Sequence, residues 1–218
     1  MSKLAFIFPG QGAQKAGMGK DFYENSEAAR SFFDQAQKIL DFDLKEMCFG
    51  EHEELNLTEY TQPCMVSVCL AIVQELKKRG ITPDITAGLS LGEYAAVAAA
   101  GGMNELDAIK LVRRRGILMQ STVPAGEGAM AAVLGLDAKK IEEILESFEN
   151  VWIANYNCPG QIVITGLTNE VQQASLALKE AGAKRVVELK VSGPFHSLLL
   201  KPAGEALLKE MESMSFSP

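Results

Sequence analysis

Histidine is scarce in this chain: His52 and His196 are the only two among 218 residues. The four cysteines, Cys48, Cys64, Cys69 and Cys158, never fall in C-x-x-C spacing. A structural zinc site therefore lacks its ligand pattern. Basic charge is scarce too. The net charge of −7 argues against nonspecific nucleic-acid binding and leaves an acidic partner only a local basic patch. No apolar run approaches bilayer-spanning length. The N-terminal stretch Leu4 to Phe8 is too short for a signal-peptide core and has no cleavage site. Scattered, apolar-flanked cysteines fit reduced core thiols. The expectation is a soluble, cytoplasmic protein with no metal, no cofactor, no nucleic-acid partner and no membrane segment.

What remains is a globular composition, 47% hydrophobic and 22% charged, long enough for one substantial core with or without a small second domain. Leu4–Phe8 and Asp84–Gly88 read as short buried strands. Helical patterns cover Phe22–Leu40, Pro63–Lys78, Leu91–Ala100 and Glu105–Ser121, the second stopped by Gly80 and Pro83. After Gly126 the pattern changes. Strands at Ala129–Leu134, Val151–Tyr156, Gln161–Thr165 and Arg185–Val191 alternate with helices at Asp137–Ser147 and Asn169–Ala181. That order, β-α-β-β-α-β, predicts a ferredoxin-like small domain over 126–192. It is inserted into a larger α/β domain formed by 1–125 and 193–218, whose strand–helix alternation implies a parallel sheet.

Gly88-Leu89-Ser90-Leu91-Gly92 lies between a strand and a helix. G-x-S-x-G in that setting is the nucleophile-elbow pattern. A tight turn exposes the serine, flanking glycines let strand and helix approach, and the helix N-terminus offers N–H donors to an oxyanion. The string alone is weakly specific, and a serine that only caps a helix would look the same. A nucleophilic serine needs a base. His52 sits in the charged run Glu51-His52-Glu53-Glu54 and reads as solvated. His196 follows a strand in Ser192-Gly193-Pro194-Phe195-His196-Ser197, where loops commonly carry chemistry. No acid neighbours His196, so a dyad and a triad are both open. Gln11 lies in the glycine-rich loop after the first strand. Its backbone N–H, with that of Leu91, could form an oxyanion hole. Arg115 falls within the apolar stripe of Ala108, Leu111, Val112, Leu118 and Met119, while Lys110, Arg113 and Arg114 read as a solvated face. A guanidinium in an apolar stripe needs a partner, either an internal carboxylate or a substrate carboxylate.

Taken in order, Pro9-Gly10-Gln11-Gly12-Ala13-Gln14, Gly88-x-Ser90-Leu91-Gly92-Glu93, Arg115-Gly116 and Phe195-His196 resemble the malonyl-CoA:acyl carrier protein transacylases. They also resemble the acyltransferase domains of fatty-acid and polyketide synthases. The resemblance runs from Phe6 to about Ala203. It implies an α/β hydrolase-like domain with a ferredoxin-like insertion, malonyl-CoA and acyl carrier protein as substrates, and a malonyl-Ser90 intermediate. It also implies His196 as base, Gln11 and Leu91 as oxyanion donors and Arg115 as grip on the malonyl carboxylate. Phe195 matches the malonyl-selective pattern, where methylmalonyl-selective relatives tend to carry serine. Leu89 stands where many members have histidine. The family's chains continue beyond Pro218, so the resemblance implies a large domain short of its C-terminal part, including the group that orients His196. Two alternatives remain at this level. A serine hydrolase or thioesterase would use Ser90 and His196 without Arg115, and a truncated fragment would be inactive.

Overall fold

The computed structural model describes residues 3–124, 126–189, 191 and 193–217. The chain divides into two compact units, Met1–Ile117 with Leu207–Pro218, and Leu118–Ala206. The expected small-domain limits fall inside the second; Ala125 and Ser192, which border them, lie outside the described residues.

In the first unit, β1 (Ala5–Phe8) pairs in parallel with β2 (Ile85–Gly88), Phe6 opposite Thr86 and Phe8 opposite Gly88. The sequence reading expects both strands to be buried, and the structure corrects this. Ile7 is 80% exposed and Ile85 52%, while Phe8 on the other face is buried. Among the described residues each strand pairs only with the other, and alternation puts Ala5, Ile7, Ile85 and Ala87 on one uncovered face. The inward face meets α5 (Gly92–Ala99), and Phe8 joins the core of α1 (Lys20–Asn25), α2 (Glu27–Ile39), α3 (Leu44–Phe49), α4 (Thr58–Lys78) and α6 (Glu105–Thr122). Their shared core includes Phe33, Leu44, Leu70, Leu91, Ile109 and Val112.

Two helix boundaries differ from the sequence reading, each for a local reason. The single helix expected over Phe22–Leu40 breaks at Ser26, which is extended (φ −127°) and accepts a hydrogen bond from the N–H of Ala29. That N-cap satisfies an orphan donor and starts α2 afresh. The helix expected from Pro63 instead begins at Thr58, with Pro63 inside it. Proline has no N–H for the carbonyl four residues back. That carbonyl, of Glu59, accepts from Arg113 Nη1 at 2.7 Å instead.

The second unit holds β3 (Gly128–Leu134), α7 (Ala138–Leu145), β4 (Val151–Cys158), β5 (Gln161–Leu167), α8 (Thr168–Glu180) and β6 (Arg185–Glu188). Its four strands are antiparallel in the order β4-β5-β3-β6. This is the ferredoxin-like arrangement read from the sequence. β6 is shorter than expected; Lys190 lies outside the described residues. α7 and α8 cover one face, burying Ile141, Ile164, Val171 and Leu178. Helix α9 (Lys201–Met211), like α6, begins in one unit and ends in the other. The protein is thus mixed α/β, with a parallel sheet and a small antiparallel one.

Candidate active site

β2 ends at Gly88 and α5 starts at Gly92, leaving three residues to reverse the chain. The turn closes through Gly92 N–H to Leu89 C=O at 2.9 Å and Glu93 N–H to Ser90 C=O at 3.1 Å. A Cβ on Gly88 would lie 2.1 Å from the Gly92 carbonyl carbon, so only glycine permits this approach. Ser90 at the apex has φ +51°, a left-handed conformation that a non-glycine residue adopts at a cost. Among the described residues, the only other non-glycine residue with positive φ is His196, at +58°. Strain thus falls on the two residues that the sequence picks as nucleophile and base.

The loop after β1 abuts this turn. A Cβ on Gly10 would sit 2.8 Å from the Leu89 carbonyl oxygen, and one on Gly92 would sit 2.3 Å from that of Phe8. Leu89 N–H donates to Phe8 C=O at 3.1 Å. The loop is fastened by its glutamines. Gln11 Nε2 donates to Thr58 Oγ1 at 3.2 Å, Gly12 N–H donates to Gln14 Oε1 at 2.7 Å, and Gln14 Nε2 donates to Asn56 Oδ1 at 3.2 Å. Among the described residues, no acceptor takes the backbone N–H of Gln11 or of Leu91. The loop holding Gln11 and the turn holding Ser90 and Leu91 thus follow adjacent parallel strand ends and abut through Gly10 and Leu89.

Arg115 lies on α6 with its guanidinium over the Tyr94 ring, 5.4 Å from the centroid. Tyr94 is on α5, four residues beyond Ser90. Burial pulls the Arg115 pKa below the ordinary guanidinium value, a pull that Tyr94 and then Glu93 partly offset. Among the described residues no carboxylate lies within ion-pair distance of Arg115. Of the two partners open to it from sequence, the internal carboxylate is absent among the described residues. Gly116 lets α6 approach α4: a Cβ there would lie 2.7 Å from the Thr58 carbonyl oxygen.

His196 and Phe195 belong to the second unit, in the segment between β6 and α9. Pro194 packs on Gly128, where a Cβ would meet its ring at 2.2 Å. Ser197 Oγ donates to Pro194 C=O at 2.6 Å. Phe195 packs with Leu118 and Leu199 on a cluster of Met119, Val123, Leu200 and Ala203. His196 is exposed in this pinned turn.

The family described as the acyl transferase domain matches residues 5–217. The chain belongs to this family. It is 50% identical over 98% of its length to the malonyl CoA-acyl carrier protein transacylase of Bacillus subtilis. The crystal structure of the malonyl CoA-acyl carrier protein transacylase from Clostridium perfringens superposes with a TM-score of 0.94 at 42% identity, covering 100% of this chain and 70% of that one. A type II PKS acyl-carrier protein in complex with its malonyl-transacylase gives 0.95 at 40% identity, covering 99% and 72%. The chain spans about two thirds of the length of the curated relatives it matches, 69% for Bacillus subtilis and 66% for Staphylococcus aureus.

Several features of this acyl transferase chain escape the sequence reading. Arg113 is not on a solvated face. Its side chain is 11% exposed, pairs with Asp41 at 2.9 Å and Glu59 at 3.0 Å, and lies over the Phe42 and Tyr60 rings. The face of α6 opposite its apolar stripe is itself packed, against the Asp41 segment and the start of α4. Lys110 and Arg114 do remain solvated, pairing with Asp107 and Glu210. His52 is half-buried, with Nε2 3.0 Å from Glu46 Oε1. Tyr94, Thr58 and Gln62 were not singled out from the sequence. Thr58 and Gln62 are fully buried polar residues one turn apart on α4. Polar side chains at core spacing in a helix were the available signal.

Proposed function

We propose that this chain moves a malonyl group from malonyl-CoA to the phosphopantetheine thiol of acyl carrier protein, in fatty-acid or polyketide synthesis. Ser90 Oγ attacks the thioester carbonyl while His196 accepts its proton. The oxyanion is held by the N–H groups of Gln11 and Leu91. The C–S bond breaks, the proton passes from His196 to the departing CoA sulfur, and malonyl-Ser90 remains. The carrier thiol then attacks this ester, His196 takes its proton and returns it to Ser90, and malonyl-carrier leaves. Arg115 grips the malonyl carboxylate with a two-pronged contact, and Phe195 lines the acyl site. The chemistry uses side chains and backbone donors alone, with no cofactor. The division into a large domain (1–125 and 193–218) and a small domain (126–192) belongs to the same reading. So does a cytoplasmic location, supported by four free cysteines, two of them buried. No helix among the described residues is long and apolar enough to cross a membrane.

The observation that carries this reading is Arg115, a desolvated guanidinium without a carboxylate partner among the described residues. Such a charge is costly until an anion arrives. Intact mass spectrometry after exposure to malonyl-CoA tests it. A malonyl adduct is expected that Ser90→Ala removes, and acetyl-CoA should label far less. Equal labelling by acetyl-CoA, unchanged in Arg115→Ala, would indicate a general acyl hydrolase instead.

A further inference from the structure

We propose that Tyr94 is a positioning residue that sets how far from the nucleophile an acyl carboxylate must lie. This inference rests on the reading of Arg115 as the carboxylate grip. The malonyl carboxylate is one methylene from the carbonyl that Ser90 attacks, so selectivity needs a cation at a fixed, short reach from the serine. Arg115 is on α6, whereas Ser90 sits in the turn two residues before α5. Tyr94 joins the two. It is four residues past Ser90, in the first turn of α5, and its ring lies under the Arg115 guanidinium at 5.4 Å. The closed elbow and the first turn of α5 thereby transfer the serine's position to the cation.

An aromatic ring suits this task better than a carboxylate. It attracts the cation through its π face, and its neutral phenol engages the guanidinium by hydrogen bonding without the ion pair an acidic partner would form. The rest of the fork stays available to a substrate carboxylate. The alternative partner is nearby: Glu93 is exposed next to Tyr94, and its field reaches Arg115 without an ion pair. Without the ring, Arg115 would be drawn towards Glu93 and away from the acyl site. Tyr94 is itself buried enough that desolvation pushes its phenol pKa up, so it stays neutral beside the cation.

The test measures binding, so it does not depend on turnover. In the full chain carrying Ser90→Ala, which blocks acylation, calorimetry gives the affinities for malonyl-CoA and acetyl-CoA. The chain with Tyr94 intact should prefer malonyl-CoA. Tyr94→Leu should reduce that preference about tenfold, and Tyr94→Phe, which keeps the ring, should hold it within about twofold. Tyr94→Met replaces Tyr94→Leu if circular dichroism shows the latter unfolded. A general packing defect would weaken both ligands alike and leave the ratio unchanged. An unchanged ratio in Tyr94→Leu or Tyr94→Met overturns the proposal, and so does a Tyr94→Phe ratio that falls as far as Tyr94→Leu. Arg115→Ala separates the two readings. If it abolishes the preference while Tyr94→Leu does not, the grip stands and the role of Tyr94 fails. If the preference survives Arg115→Ala, or malonyl-CoA does not bind, both fail.

Discussion

The two sheets of this protein use their residues in opposite ways. The four-stranded sheet is linked by the β4–β5 hairpin and two helical crossovers, and β5 buries five consecutive residues, Ile162 to Gly166, in its centre. The two-stranded sheet has four residues per strand, and the side chains on one of its faces are exposed. What the short strands provide is their ends: β1 delivers the Gln11 loop and β2 delivers Ser90. One sheet is built around its middle and the other around its C-terminal edge, where α/β proteins place ligands. Substitutions in the first should therefore be read in stability, and those at the edge of the second in chemistry.

The sharpest test is at the glycines. Gly88→Ala forces a Cβ to 2.1 Å from the Gly92 carbonyl carbon, so the elbow cannot close. The rate of Ser90 malonylation, followed by mass spectrometry, should fall at least about a hundredfold. Gly160→Ala, in the β4–β5 hairpin at φ +78° with open space around it, should cost only about 1 kcal/mol in urea unfolding and leave malonylation intact. Next come the strand interiors. Ile164→Ala, at a fully buried site, should lower stability by about 3 kcal/mol. Ile7→Ser, 80% exposed, should change it by less than about 0.5 kcal/mol.

Two arginines on α6 sharpen the same contrast. Arg113→Met leaves the Glu59 carbonyl and carboxylate without their donor and should cost about 2 kcal/mol, with malonyl preference kept. Arg115→Met removes a desolvated charge; thermal unfolding should show unchanged or slightly raised stability while malonyl preference disappears. The smallest effect is in pH. The Arg113 hydrogen bond holds the Asp41 carboxyl below its ordinary value, so the native state binds that proton later than the unfolded chain. Its contribution is complete above the unfolded pKa and fades as pH falls through the native one. Asp41→Asn should flatten the acid limb of a melting-temperature profile slightly, the carboxylate being largely exposed.

Much of the fold was legible because local patterns and tertiary packing agree. Strand alternation and the Pro159-Gly160 signal place β4 and β5, although β4 runs on through Asn157 and Cys158, and Gly182, at φ +104°, ends α8 as expected. The phase of Arg115 was legible because a charge in an apolar stripe is visible in sequence. Arg113 misled because periodicity reports one buried face of a helix, whereas α6 is packed on two. The break at Ser26 and the continuation of α4 through Pro63 were hidden for a related reason. A cap or a repaired carbonyl is made by one side chain, and that leaves no trace in periodicity. The exposed face of β1 and β2 could not be read either. Strand burial depends on what covers the sheet, and apolar composition alone does not state it.

The left-handed backbone at Ser90 and His196 has a consequence for anyone improving this protein. Glycine would occupy either position with less strain, yet glycine has no side chain to give chemistry. A mutant library sorted only for heat resistance would thus be rewarded for replacing the two residues assigned the reaction. Screens on this scaffold need a catalytic readout from the first round.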